Sequence, residues 1–225
     1  MIISDMQVTY KYHSGDDLSV VNAARVSFHK ESQLEHTDVP GIMLLSEKDQ
    51  KLINYLAKHN HWTPFAHNSI TLLIKAPIFV ARQAGKHQVG LVWNEVSRRY
   101  VDDEPEFWFP KEWRGKAENV KQGSSGVVDL ADFMSSDRNV RHVVQQTLRC
   151  YDGLLAEGVA PEQARVVLPQ NMMTEWYWTG SLAAFVRILK LRLDPHSQQE
   201  IQELVGMIKD VVEPLFPVSV KALMQ

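Results

Sequence analysis

The chain has 225 residues, 44% hydrophobic and 23% charged, the composition of a globular protein of one or two domains. Its formal net charge of −3 supplies no global basic field for nucleic acid or anionic membrane, so any phosphate must be held by a local cluster. Cys150 is the one cysteine, which leaves no disulfide within these residues, and no apolar run approaches the roughly 20 residues that span a bilayer.

The first twelve residues, with "MQVTYKY" alternating, read as a strand. "SGDDLSVVNAARVSF" offers polar capping residues and then a helical pattern. "SEKDQKLINYLAKHN" opens a second helix at Ser46, with Asp49 three positions on and Leu52, Ile53, Leu56 and Ala57 as its apolar stripe. "HNSITLLIKAP" has the β-branched character of a strand. Pro77 then suits the first turn of a helix, "PIFVARQAGKH", where its missing N–H costs nothing.

Residues 101–137 carry several prolines and glycines and little periodicity, and are expected to form a surface excursion or a subunit contact. Helices are expected around 138–157 and 161–167, then an extended "NMMTEWYWT", a helix in "SLAAFVRILKLRL" and another in "SQQEIQELVGMIKDVVEPLF". No repeat or linker breaks the chain. The expectation is one mixed α/β domain over 1–225, a central sheet flanked by helices. The N-terminus lacks a basic segment followed by a long apolar one, so no secretory signal is expected, and the lone cysteine suits the cytoplasm.

Standard motifs fail. "GKHQVGLV" has glycines at P-loop spacing, but Leu91 stands where the lysine belongs, and there is no GxGxxG or HExxH. His59, His61 and His67 offer a metal site in principle, but no carboxylate or cysteine stands among them, and hydrogen-bonding or core roles are the plainer reading. No metal is expected. Cys150 lies in a helical repeat and reads as an ordinary helix residue rather than a nucleophile.

"KHQVGLVWNEVSRRY" (86–100) gathers charged tips around an apolar middle. Ser97 and Arg99 are residue types that bind phosphate oxygens. In an extended strand they share a face with Glu95, while Arg98 takes the other. A carboxylate beside phosphate donors suits a nucleoside monophosphate, with the acceptor meeting a sugar hydroxyl. Composition alone favours the plainer alternative, a solvated strand edge in which Arg98 and Arg99 pair with Asp102, Asp103 or Glu104.

Six blocks in order change that balance: "AARVSF" (23–28), "HWTPFAH" (61–67), "KAPIFVARQ" (75–83), "NEVSRRY" (94–100), "ARVVLPQN" (164–171) and "LRLDPHSQQEIQ" (191–202). Together they resemble the flavin-dependent thymidylate synthases. The chain departs from that pattern at Lys86-His87-Gln88, where the family has Arg-His-Arg, with one extra residue before Asn94. It departs again at Ala66, where the family has glutamate, and at Ser181 and Arg187, where it has asparagines.

The resemblance implies reductive methylation of dUMP to dTMP, with 5,10-methylenetetrahydrofolate and NADPH as cosubstrates and FAD as cofactor. It implies a homotetramer with active sites between subunits, and neither a nucleic-acid nor a membrane partner. For dUMP it points to Gln83, Lys86, Glu95, Ser97, Arg98, Arg99, Arg165 and Arg192. Arg192 faces the uracil as the catalytic group, and Arg165 comes from another subunit. For FAD it points to Ser27, His61, Thr63, Lys86, His87, Gln88, Glu95, Ser181 and Arg187. Arg187 adds a cation that could balance a pyrophosphate. The rewritten flavin side keeps open a relative that hydroxymethylates or acts on dCMP, and a nucleotide- or flavin-binding protein without turnover.

Overall fold

A computed structural model describes residues 1–39, 41–118, 123–136 and 139–225. In chain order its elements begin with β1 Ile2–Ile3, β2 Gln7–Ser14, α1 Asp17–Arg25, β3 Glu35–His36, β4 Met43–Leu44 and α2 Glu47–Lys58. Next come β5 Ser69–Pro77, α3 Ile78–Ala84, β6 Leu91–Glu95, β7 Glu106–Phe107, β8 Arg114–Lys116 and β9 Ser124–Val127. The chain closes with α4 Ala131–Ser135, α5 Val140–Ala156, α6 Pro161–Ala164, β10 Met173–Gly180, α7 Leu182–Arg192, α8 Gln199–Val212 and α9 Pro217–Met224.

Four strands form the central sheet in the order β2-β5-β10-β6, every pairing antiparallel. Alternation sends Ile70, Leu72, Ile74, Trp176 and Trp178 to one face. There they join one core with Val20 of α1, Ile53 of α2, Val80 of α3, Phe185 of α7, Leu204 of α8 and Val220 of α9. On the other face Tyr12, Val92 and Tyr177 remain exposed. A smaller cluster joins Phe107 of β7 to Val144, Leu148 and Tyr151 of α5, Ala164 of α6 and Met172.

Local chemistry starts the helices that the site uses. Asp16 and Ser19 make a reciprocal capping box on α1. Ser46 Oγ accepts the Asp49 N–H at 3.1 Å on α2, and Ser181 Oγ accepts the Ala184 N–H at 3.3 Å on α7. Asp17 accepts from the N–H groups of Val218 and Ser219, at 2.8 and 2.9 Å, and so caps α9 from the far end of the sequence.

Several expectations need correction. The opening strand is split into β1, which pairs with β7, and β2, which pairs with β5 in the central sheet. Pro77 ends β5 and caps α3 instead of entering the helix. The excursion is not featureless: it contributes β7, which pairs in parallel with β1, the β8–β9 hairpin and α4, with 119–122 and 137 outside the described residues. The start expected at 138 for the following helix also lies outside them, and α5 begins at Val140. Helix α9 went unforeseen.

One buried ion pair fixes the segment after α1, which carries Ser27. Asp49 Oδ1 accepts from Arg25 Nε at 3.1 Å and Ser32 Oγ at 3.0 Å, while Ser46 Oγ donates to Oδ2 at 3.0 Å. Burial works against the Asp49 charge, but the bonds from Arg25, Ser46 and Ser32 outweigh it and hold the carboxyl below its ordinary 3.8. The stabilisation is therefore complete above the ordinary value and is lost as pH falls through the lower folded one. Asp49→Ala leaves Arg25 buried and unpaired and should cost roughly 3–5 kcal/mol in urea unfolding at neutral pH. An unchanged midpoint would refute this role.

Candidate active site

The connection from α3 to β6 carries Lys86, His87 and Gln88. Gly85 N–H returns to the Ala81 carbonyl at 2.8 Å and His87 N–H to the Ala84 carbonyl at 3.0 Å, wrapping the helix end. A turn follows, closed by Leu91 N–H to the Gln88 carbonyl at 3.2 Å, with Gly90 at φ +76°. That backbone favours glycine, and a Cβ there would also stand 3.2 Å from the Ala184 Cβ. Two arginines of α7 grip this loop. Arg187 donates to the Val89 carbonyl, and Arg192 Nε donates to His87 Nε2 at 3.0 Å. Burial first, then the charges of Arg192 and Arg187, hold the His87 pKa below its ordinary 6.5. His87 is thus neutral at physiological pH, and because Nε2 accepts, its proton is on Nδ1.

Three clefts are lined by this loop or by the arginines that grip it. The first, of about 700 Å³, is lined by Gln83 and Arg192 together with Phe79, Trp108, Trp113, Arg114, Asn171 and Glu200. Gln83 Oε1 is buried and has no hydrogen-bond partner among the described residues. The second cleft, of about 480 Å³, is lined by Arg82, Lys86, His87, Gln88, Trp93 and Glu95. The third, of about 420 Å³, has an apolar lining that includes Phe65 and Ala184, with Trp62, Ser181, Arg187 and Lys190.

Glu95 closes β6 opposite Trp176. Its carboxylate is aimed by Thr174 Oγ1, which donates to Oε1 at 2.6 Å, and by Trp93 Nε1, which donates to Oε2 at 3.1 Å. Trp93 stacks on Trp176 with ring centroids 4.2 Å apart, so the carboxylate caps a rigid aromatic layer.

The strand expected to continue through Arg99 stops at Glu95. The ladder's last bond is Val96 N–H to the Glu175 carbonyl, after which Tyr100 N–H bonds the Ser97 carbonyl and closes a turn. Arg99 Nε donates to Ser97 Oγ at 3.2 Å, so the hydroxyl and the fork are together, as the phosphate reading requires. Arg98 instead binds the Asp103 carbonyl and lies 3.4 Å from its carboxylate, the plainer of the two alternatives for that residue.

Arg165 is exposed on a single 3₁₀ turn, its Nε bonded to the Glu162 carbonyl. Ser27, His61 and Thr63 are exposed and line none of the three clefts. One chain therefore brings the site residues to separate patches. His59 and His61 face Tyr55, and among the described residues no group of three or more His, Cys, Asp or Glu could hold a metal ion. No helix among the described residues is long and apolar enough to cross a membrane.

Sequence reasoning missed Trp62 and Lys190 in the third cleft and the Thr174 bond to Glu95. It also missed the aromatic wall of Trp108 and Trp113. "EFWFPKEW" was visible as an aromatic cluster, but without periodicity nothing aimed it.

Residues 9–218 match the family model described as thymidylate synthase complementing protein. The chain is 37% identical to the flavin-dependent thymidylate synthase of Kosmotoga olearia, over 92% of this chain and 85% of that one. It is 38% identical to that of Thermus thermophilus, over 91% and 70%. The chain belongs to the flavin-dependent thymidylate synthase family. Among solved structures, its fold matches a UMP/dUMP methylase, PolB from Streptomyces cacaoi, bound with 5-Br dUMP. The TM-score is 0.82 at 31% identity, over 98% of this chain and 95% of that one.

Family membership implies a flavin, and the residues present suit one. Arg82 and Lys86 in the second cleft and Arg187 and Lys190 in the third supply cationic donors. Trp62 is an exposed flat ring on the third. Among the described residues Glu95 is the one carboxylate lining either cleft. An anionic cofactor with flat rings matches that set.

The excursion is tied to the first cleft by charge. Arg114 Nη2 meets Glu200 Oε1 at 2.5 Å, Arg114 Nε donates to Ser124 Oγ at 2.9 Å, and Gln198 Nε2 donates to Glu200 Oε2 at 2.9 Å. Burial opposes the Glu200 charge, but bonds from Gln198 and Arg114 prevail and lower its pKa below the ordinary 4.5. Arg114→Ala should accelerate amide hydrogen exchange across 106–116 at neutral pH and leave β5 and β10 protected. Unchanged exchange in that segment would mean that other contacts hold the wall.

Proposed function

We propose that this protein converts dUMP to dTMP by reductive methylation, with 5,10-methylenetetrahydrofolate as carbon donor and NADPH as reductant, and with FAD as its flavin. The observation that carries the reading is that Gln83 and Arg192 stand on the wall of one cleft. A uracil ring presents an N–H between two carbonyls. The N–H suits the amide oxygen of a glutamine, and a carbonyl suits a guanidinium.

In this reading Arg192 is the catalytic group. A fixed cation against a pyrimidine carbonyl stabilises the negative charge that makes C5 a carbon nucleophile. Ser97 and Arg99, already bonded to each other, take the phosphate, with Lys86 of the α3–β6 connection as a further cation. Arg98 contributes through its turn, since its guanidinium is engaged by Asp103. Arg165, exposed and far along the chain, reaches the phosphate of a neighbouring subunit in a homotetramer. Glu95, aimed by Thr174 and Trp93, accepts from the sugar.

Lys86, His87, Gln88, Glu95, Ser181 and Arg187, with Ser27, His61 and Thr63 from an adjoining subunit, would hold FAD, which supplies the reducing electrons when bound. Ser181 already caps α7, so it can offer a ligand only what its hydroxyl has left after that bond. The cysteine-free route fits Cys150, which is exposed on α5 and lines none of the three clefts.

The likeness to a UMP/dUMP methylase makes UMP the second substrate to assay. The flavin-loaded protein, given dUMP, methylenetetrahydrofolate and NADPH, should yield dTMP by mass spectrometry, distinguishable from a hydroxymethylated product by one oxygen. Arg192→Ala should lower kcat by about 10²–10³-fold, and Cys150→Ala should retain activity. No methylated product from either dUMP or UMP ends the reading.

A further inference from the structure

We propose that His87 is a positioning residue for Arg192: its Nε2 holds the guanidinium in the nucleotide cleft from the neighbouring cleft, so that one hydrogen bond links the two. The inference rests on the nucleotide reading of the cleft that holds Gln83 and Arg192.

Arg192 is the last residue of α7 and bears a long, flexible side chain. Among the described residues its one side-chain hydrogen bond is the 3.0 Å contact from Nε to His87 Nε2. That contact uses the inner nitrogen and leaves both terminal amino groups free to fork onto a ligand carbonyl. The choice of partner matters as much as the geometry. A carboxylate there would hold the guanidinium equally well but would neutralise it, and a neutralised cation stabilises little developing charge. An imidazole lone pair orients the cation and leaves its charge intact. The carboxylate of Glu200, which lines the same cleft, is occupied by Arg114 and Gln198.

His87 is itself held. Its N–H bonds the Ala84 carbonyl, and Arg187 fixes the Val89 carbonyl two residues on. The imidazole also lines the second cleft, with Lys86 and Gln88 on its own loop, Arg82 from α3 and Glu95 from β6. A group that fills this cleft therefore acts on Arg192 through His87. Chemistry gives the contact a pH limit. Protonated imidazole has no lone pair, and Arg187 and Arg192 of α7 already oppose a positive charge there. The bond is intact at neutral pH and is lost as pH falls below the depressed His87 value. Glutamine places an amide oxygen near the Nε2 position and does not titrate.

The test is dUMP binding by calorimetry, with deoxyribose 5-phosphate as the probe that lacks the pyrimidine. Both are measured on flavin-loaded and flavin-free protein at pH 5.0–8.0. His87→Ala should weaken dUMP about tenfold at neutral pH, as expected for a lost charge-assisted bond. It should leave deoxyribose 5-phosphate unchanged, and the loss should persist without flavin. His87→Gln should restore most of the affinity and abolish the wild-type decline at low pH. In an Arg192→Ala background His87→Ala should add nothing. Equal losses for both probes, additive effects of the two substitutions, or unchanged dUMP affinity in His87→Ala would overturn the positioning role. Wild-type protein that binds deoxyribose 5-phosphate and dUMP equally would instead overturn the nucleotide reading on which it rests.

Discussion

Strand β10 is hydrogen-bonded on both sides, to β5 along its whole length and to β6 from Trp176 to Gly180, and the site follows from that register. Pairing Trp176 with Glu95 and Trp178 with Trp93 puts three indoles in one layer and leaves the carboxylate at its end. A one-residue slip would turn Glu95 to the opposite face with Val92 and Tyr177. The other end of β10 is equally constrained. A Cβ at Gly180 would stand 2.9 Å from the Gly90 carbonyl and 2.5 Å from Leu91 Cδ2. Glycine there lets the loop before β6 lie against the strand, one residue ahead of the Ser181 cap of α7. Sheet register thus sets both the loop and the helix whose arginines grip it.

The cations of this region are paired in two ways. Arg114 meets Glu200 and Arg98 meets Asp103, so those charges are spent on holding the excursion and the turn after β6. Arg187 and Arg192 meet a carbonyl and an imidazole, which orient them without neutralising them. Arg99 leans on a hydroxyl and on the Tyr100 ring. Positive potential therefore survives where Arg99, Arg187 and Arg192 stand and is cancelled where the walls are fastened. That division separates ligand-facing from structural arginines on chemistry alone.

Much of the fold was legible because it is written in local periodicity. The β-branched character of "HNSITLLIKAP" and the stripes of α2 and α8 reappear as β5 and as helices whose buried residues include Ile53, Leu204 and Ile208. Helix α9 escaped because its cap, Asp17, is about 200 residues away. The end of β6 escaped because it depends on where the neighbouring ladder runs out, not on Ser97 or Arg98 themselves. The cleft walls escaped for a similar reason: Trp108 and Trp113 lie in a segment whose partners, Asn171 for Trp108 and Glu200 for Arg114, are distant in sequence. The candidate site residues were chosen by type and block, and their distribution over separate clefts was not legible that way. Ser27, His61, Thr63 and Arg165, which no cleft of the single chain gathers, are the residues that an assembly of subunits would have to bring in.

The residues proposed for the flavin are the ones that depart from the family pattern, and their charges are redistributed. Lys86 keeps a cation of the family's Arg-His-Arg triplet, and Gln88 gives one up. The replacement stands on α7. Arg187 spends one donor on the Val89 carbonyl and keeps its charge, and Lys190 lines the same cleft one turn on. A pyrophosphate would then be met partly from a helix rather than wholly from a loop. The same bond fixes the loop that presents His87 to Arg192. Arg187 thus does two things that a shorter amide side chain could not combine: it carries charge to the third cleft and braces the loop that presents His87 to Arg192. Substitution in the third cleft need not leave the first untouched, because both are built against α7.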